Sequence, residues 1–184
     1  VSVKILTPLQ PIHVVDGAAV ANFTTFADIS PAPSLLIPQQ DMEVGCELEM
    51  EFSGQVSATG TPTFALGFWF NTAATILAQN ALTTLVTTAA AWPIQGWWRG
   101  RLRAAAAGAS GGSWNGQGEI KVGGSLTAWA TGFPCPIPTT LALRTVACDV
   151  TAARAVGVGA AWGTASASNT VTINMLSATL RTGY

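Results

Sequence analysis

The residues of this chain that could do chemistry are few, and their spacing argues against most reactions. The one histidine, His13, lies in a proline-punctuated stretch. A Ser-His-Asp or Cys-His arrangement would have to be built around it, and nothing near it suggests one, so it reads as a loop histidine. Cys46, Cys135 and Cys148 are odd in number and lack CxxC spacing, which argues against a disulfide framework or a zinc site. Cys46 and Cys148 sit in apolar alternating runs and read as small buried hydrophobes. A single histidine cannot complete a histidine-rich metal centre. The sequence therefore predicts no catalytic residue, no metal site and no cofactor.

Two charged stripes are the strongest constellation. In "GCELEMEFSG", Glu47, Glu49 and Glu51 alternate with Cys46, Leu48, Met50 and Phe52. In "GWWRGRLRAAA", Arg99, Arg101 and Arg103 alternate with Trp98, Gly100 and Leu102. Alternation of this kind places each charged set on one face of a strand. Carboxylates two residues apart on a strand stand about 6.5–7 Å apart at the backbone. Glycosidase carboxylates flank their substrate from opposite sides, whereas these stand side by side. The better reading sets one ladder against the other, at roughly 0.2–1 kcal/mol per facing pair. The ladders meet either on neighbouring strands of one sheet or across a subunit interface.

Composition narrows the function classes. Charged residues make up 9% of the 184, against a usual value of about 25%. So few charges cannot cover a monomer, and much of the surface must be Thr, Ser, Ala and Gly or be buried against other subunits. The net charge of −1, with no basic tail, excludes packaging of nucleic acid, which needs many cations. No apolar run reaches the length of a membrane span, so neither nucleic acid nor membrane is an expected partner. The start "VSVKILTPLQ" lacks the apolar core of a signal peptide, and Val1 is compatible with loss of an initiator Met or with processing. Without a secretory signal, the "NFT" acceptor at Asn22 carries little weight. Seven tryptophans are many for this length. Trp98 and Trp162 read as core, with the others at interfaces, where Trp is enriched. Exposed Trp stacking on sugars makes a glycan the other partner to weigh.

The elements that must position these residues are strands. Helix periodicity with caps is nearly absent. Residues 1–40 read as an irregular proline-rich N-terminal arm or set of long loops with one short strand near Ala19–Phe26, and 41–184 as the jelly-roll β-sandwich domain. "GCELEMEFSG" and "FALGFWFN", joined by "SATGTPT", read as a hairpin. "ATILAQNALTTLVTT" fits a short helix or two strands, and strand is favoured because Thr and Val crowd its second half. "GWWRGRLRAAA", "EIKVGGSLTAWATG", "LALRTVACDV", "RAVGVGAAW" and "NTVTINMLSATLR" complete the set, with "FPCPIPTT" as a crossing. In the last strand Val171, Ile173 and Met175 share a face, and Leu176, Ala178 and Leu180 carry the opposite phase, which places a β-bulge near Met175. About eight short strands with Gly and Pro turns predict an all-β sandwich or barrel, and eight antiparallel strands in two packed sheets is the jelly-roll β-sandwich count, although count alone does not fix the topology.

The segment "CDVTAARAVGVGAAWGTASASNTVTINMLSATLR" resembles the C-terminal part of virion surface proteins of tailed bacteriophages. The pattern is carried by Asp149, Thr151, Ala153, Val156, Val158, Trp162, Ala165, Ser166, Ser168, Asn169, Thr170 and Thr172. Arg154 stands where a small polar residue is expected. The resemblance implies a tumour necrosis factor-like jelly roll assembled as a homotrimer and located on the virion, at the capsid surface. It implies as partners other copies of the chain, the major capsid protein or other virion proteins. The expected role is a capsid decoration protein or head spike. A receptor-binding tail-fibre tip that recognises host glycans, and a free-standing carbohydrate-binding module, are the alternatives. Trp98, Trp162, Val171 and Ile173 are then expected to fill the core or line a trimer axis.

Overall fold

The computed structural model describes residues 17–32, 34–80, 83–85, 89–108, 110–123, 133–140 and 144–181. His13 and Trp129 lie outside them, as do the "SLTAWAT" and "LAL" portions of two expected strands. The described residues form two antiparallel sheets, with one single-turn 3-10 helix at Gln39–Asp41. The larger sheet runs in the order β1 (Val20–Ala21), β13 (Thr170–Arg181), β4 (Glu47–Ala58), β8 (Ala89–Ala105), β9 (Gly112–Val122) and β10 (Phe133–Ile137), and β11 (Thr145–Cys148) also pairs with β9. The smaller runs β2 (Ala27–Asp28), β12 (Arg154–Trp162), β5 (Thr63–Phe70) and β6 (Thr72–Gln79), with β3 (Leu35–Ile37) on β12 and β7 (Thr83–Thr84) on β5.

This order is a jelly roll. The chain pairs as one long ribbon folded on itself: β1 with β13, β2 and β3 with β12, β4 with β8, β5 with β6. The ribbon then rolls so that β4 pairs with β13 and β5 with β12. Strands β9, β10 and β11 extend the larger sheet beyond β8.

Three expectations change. The β4 and β5 segments are not a hairpin: they lie in different sheets, and "SATGTPT" carries the chain across the sandwich. The "FPCPI" crossing is itself an edge strand, paired with β9. From Gly17 onward the N-terminal segment belongs to the sandwich rather than standing off as an arm. It supplies β1 to one sheet and β2 and β3 to the other, and it buries Ile29, Leu35 and Ile37. The bulge in β13 falls between Ile173 and Met175. It brings Leu176, Ala178 and Leu180 to the same buried face as Val171 and Ile173.

Aromatic rings fill the space between the sheets. Phe52 of the larger sheet meets Phe68 of the smaller at 5.4 Å, and Trp114 meets Phe70 at 5.9 Å. Trp98 packs edge-on against Trp114 at 6.3 Å. A glycine pair makes room for Trp98. Gly100 and Gly116 face each other across β8 and β9, and a Cβ on either would stand 2.1 or 2.4 Å from the Trp98 ring.

Candidate functional site

The outer face of the larger sheet carries the charged ladders. Strand alternation turns Leu48, Met50, Phe52, Trp98 and Leu102 inward and leaves Glu47, Glu49, Glu51, Arg99, Arg101 and Arg103 facing out. β4 and β8 are direct neighbours, so the ladders pair within one chain. The register is offset by one step: Glu47 faces Arg101, Glu49 faces Arg99, and Glu51 faces Trp97. The offset leaves Glu51 and Arg103 at opposite ends. The tightest contact is Arg99 Nη2 to Glu49 Oε1, at 2.6 Å, and this hydrogen bond holds the Arg99 guanidinium above its ordinary pKa. Arg99 also lies 3.8 Å from Glu47, and Arg101 lies 3.7 Å from it.

Arg181 on β13, which the sequence reading did not single out, completes the network. It faces Glu47 in register and lies 3.6 Å from Glu47 and 3.2 Å from Glu49. Its signal was present in the phase of "LSATLR": once the bulge is passed, Ser177, Thr179 and Arg181 alternate outward.

Trp97 stands in the middle of this face with 43% of its surface exposed. Its cross-strand partners are Glu51 on one side and Glu119 on the other. Two depressions share it as a wall. One, of about 210 Å³, is lined by Glu51, Gln95, Glu119, Lys121 and Met175 among others. The second, of about 350 Å³, is lined by Arg99, Arg101, Arg103 and Arg144, with Glu47 its one acid, and by Asn115 and Gln117. The other described tryptophans are interior: Trp69, Trp92, Trp98, Trp114 and Trp162 are all buried. Trp92 and Trp114 therefore join the core rather than an interface.

Trp98, Trp162, Val171 and Ile173 lie inside the sandwich of a single chain, each no more than 1% exposed. Trp162 stacks on its in-register neighbour Phe64 at 4.3 Å. Of the remaining residues of the C-terminal pattern, Val156 and Val158 are buried in β12, Thr170 and Thr172 lie in β13, and Asp149, Thr151 and Asn169 shape turns. Asp149 accepts hydrogen bonds from the Thr151 amide at 2.9 Å and hydroxyl at 2.6 Å, and these bonds hold its carboxyl below the usual range. Arg154 pairs with Asp149 at 2.5 Å and donates to its carbonyl at 2.8 Å. Asn169 closes the β12–β13 turn, donating from its amide to Ser166 O and from its side chain to Thr164 O.

Burial pushes the Cys46 thiol up to about 12 and Cys148 up to about 11, so neither is an activated nucleophile. Among the described residues no group of three or more His, Cys, Asp or Glu side chains could hold a metal ion, and no helix is long and apolar enough to cross a membrane.

No protein-family model and no curated protein matches the chain. Among solved structures it is matched by a polysaccharide lyase of family 18, at 10% identity and a TM-score of 0.29, over 92% of this chain and 91% of that one. Likeness at that level carries no argument about what this chain does.

Proposed function

We propose that this chain is a structural protein of a bacteriophage virion, a jelly roll that assembles as a homotrimer and decorates the capsid surface. The observation that carries the reading is the work done by the C-terminal pattern. The residues shared with virion surface proteins shape the turns and fill the core beside the last two long strands, β12 and β13. Asp149 and Thr151 set the entry to β12, Trp162 seals the core beside Phe64, and Asn169 closes the turn into β13. A segment so committed to packing suits a subunit whose function is shape.

Apolar contact surface lies near the N-terminal edge. Leu36 and Val44 are 54% and 64% exposed, and the trimer reading places them in subunit contacts. Light scattering of the purified chain should give three times the 18.9 kDa chain mass, and Leu36→Asp with Val44→Asp should lower it. Antibodies to the chain should label phage heads in electron microscopy. A monomer that leaves heads unlabelled would overturn the proposal. The exposed Trp97 favours a second reading, recognition of a glycan on the face opposite the core.

A further inference from the structure

We infer that the outer face of the larger sheet, centred on Trp97, is a binding site for an acidic oligosaccharide. This deepens the glycan reading and rests on it; the capsid role stands or falls separately. An indole exposed on a sheet face offers a flat apolar platform with a polar tip, and the C–H face of a pyranose ring fits such a platform. Glu51 and Glu119 stand on either side of Trp97 in register, placed to accept hydrogen bonds from sugar hydroxyls. Gln95 and Lys121 line the same depression.

The acidic character of the ligand follows from the charges on the other side of Trp97. Glu47 is already shared among Arg99, Arg101 and Arg181. Arg103 and Arg144 have no ion-pair partner among the described residues, yet both line the second depression. A low-charge protein that gathers four of its eight basic residues around one depression has made a local anion site, and guanidinium forks match carboxylate and sulfate geometry. Trp97 and Arg101 are four residues apart on β8, about 13 Å at strand rise. That span suits an oligosaccharide, with one sugar on Trp97 and an acidic neighbour over the arginines.

The test is calorimetric titration of the full chain with hexagalacturonate, with maltohexaose, sodium sulfate and a thymidine hexanucleotide as separate arms. Hexagalacturonate should bind and quench tryptophan fluorescence, weakening as salt rises. Trp97→Ala should weaken it about tenfold or more, with Trp97→Tyr recovering part of the loss. Arg103→Ala with Arg144→Ala should weaken it comparably and flatten its salt dependence, and all three variants should melt as the parent does. No binding of hexagalacturonate would overturn the inference. So would equal binding of maltohexaose, of sulfate alone or of the hexanucleotide, or equal affinity in Trp97→Ala. A trimer that binds no saccharide would remove this site and leave the assembly proposal intact.

Discussion

At the scale of the residue, Trp162 shows what the large aromatics contribute. Its ring is buried against Phe64, yet its indole N–H has no hydrogen-bond partner among the described residues. Its value is therefore area and shape, not a polar bond. Trp162→Ala should cost about 3–5 kcal/mol of stability, and Trp162→Phe roughly half of that or less. Urea denaturation followed by circular dichroism would separate the two; equal losses would mean the N–H is satisfied after all. The buried thiols give a pH signature. Folding raises Cys46 and Cys148 from an ordinary 9.0 to about 12 and about 11. A group raised on folding keeps its proton in the native state after the unfolded chain has lost it. Its contribution is complete below pH 9 and declines as pH rises toward the folded values. Stability should fall between about pH 9 and 11, and the fall should be shallower in a Cys46→Ala, Cys148→Ala variant measured at the same pH values. Both thiols should also resist alkylation in the folded protein at pH 8.

At the scale of the element, alternation in the sequence was enough to identify the outward ladders of β4 and β8, the inward faces of β12 and the bulge in β13. Each is a period-two signal written in neighbouring residues. What alternation does not encode is which strand lies beside which. The crossing after β4 looks like hairpin chemistry because "SATGTPT" would serve either purpose, and only the core decides that β5 belongs opposite. Pro93 sits inside β8. A proline inside a strand suggests an end, but β8 continues through it. Pro93 lies one step past the last β9 pairing, and its carbonyl accepts the Gly123 amide at 2.8 Å. The one-step offset of the ladders was equally invisible, and it has a consequence. Arg99 lies 2.6 Å from Glu49 and 3.8 Å from Glu47, whereas Arg101 approaches Glu47 at 3.7 Å. Arg99 and Arg101 are both about half exposed, which keeps each contact small. Arg99→Glu should cost about 1–2 kcal/mol and Arg101→Glu about half as much. The gap between their denaturation midpoints should narrow in 1 M salt, and a reversed order would refute the offset network.

At the scale of the whole molecule, the roll ties the two ends of the chain together. The first described strand pairs with the last, β2 and β3 pair with β12, and the outer face of the smaller sheet is covered by the same N-terminal segment. A Cβ at Gly159 would meet the Phe26 ring at 2.1 Å, and one at Gly157 would meet Ser30 Oγ at 2.2 Å. The Trp69 indole donates to Asp28 at 3.2 Å and to Val158 O at 3.1 Å. These contacts help to bury the outer face of β5 and explain why "AVGVGAA" carries glycines at its outward positions: Gly159 admits the Phe26 ring, and Gly157 admits Ser30 and the Trp69 ring of β5. Proline-rich sequence reads as an arm because its strands are too short to show a period, two or three residues each. If residues 17–37 are part of one cooperative core, damage there must be felt globally. Leu35 is fully buried in β3, so Leu35→Ala should cost about 2–5 kcal/mol. The loss should appear in a single transition, with near-ultraviolet circular dichroism, which reports the packing of core aromatics such as Trp98, Trp114 and Trp162, shifting together with far-ultraviolet signal. An independent arm would instead leave the main transition where it was and add, at most, a separate early step.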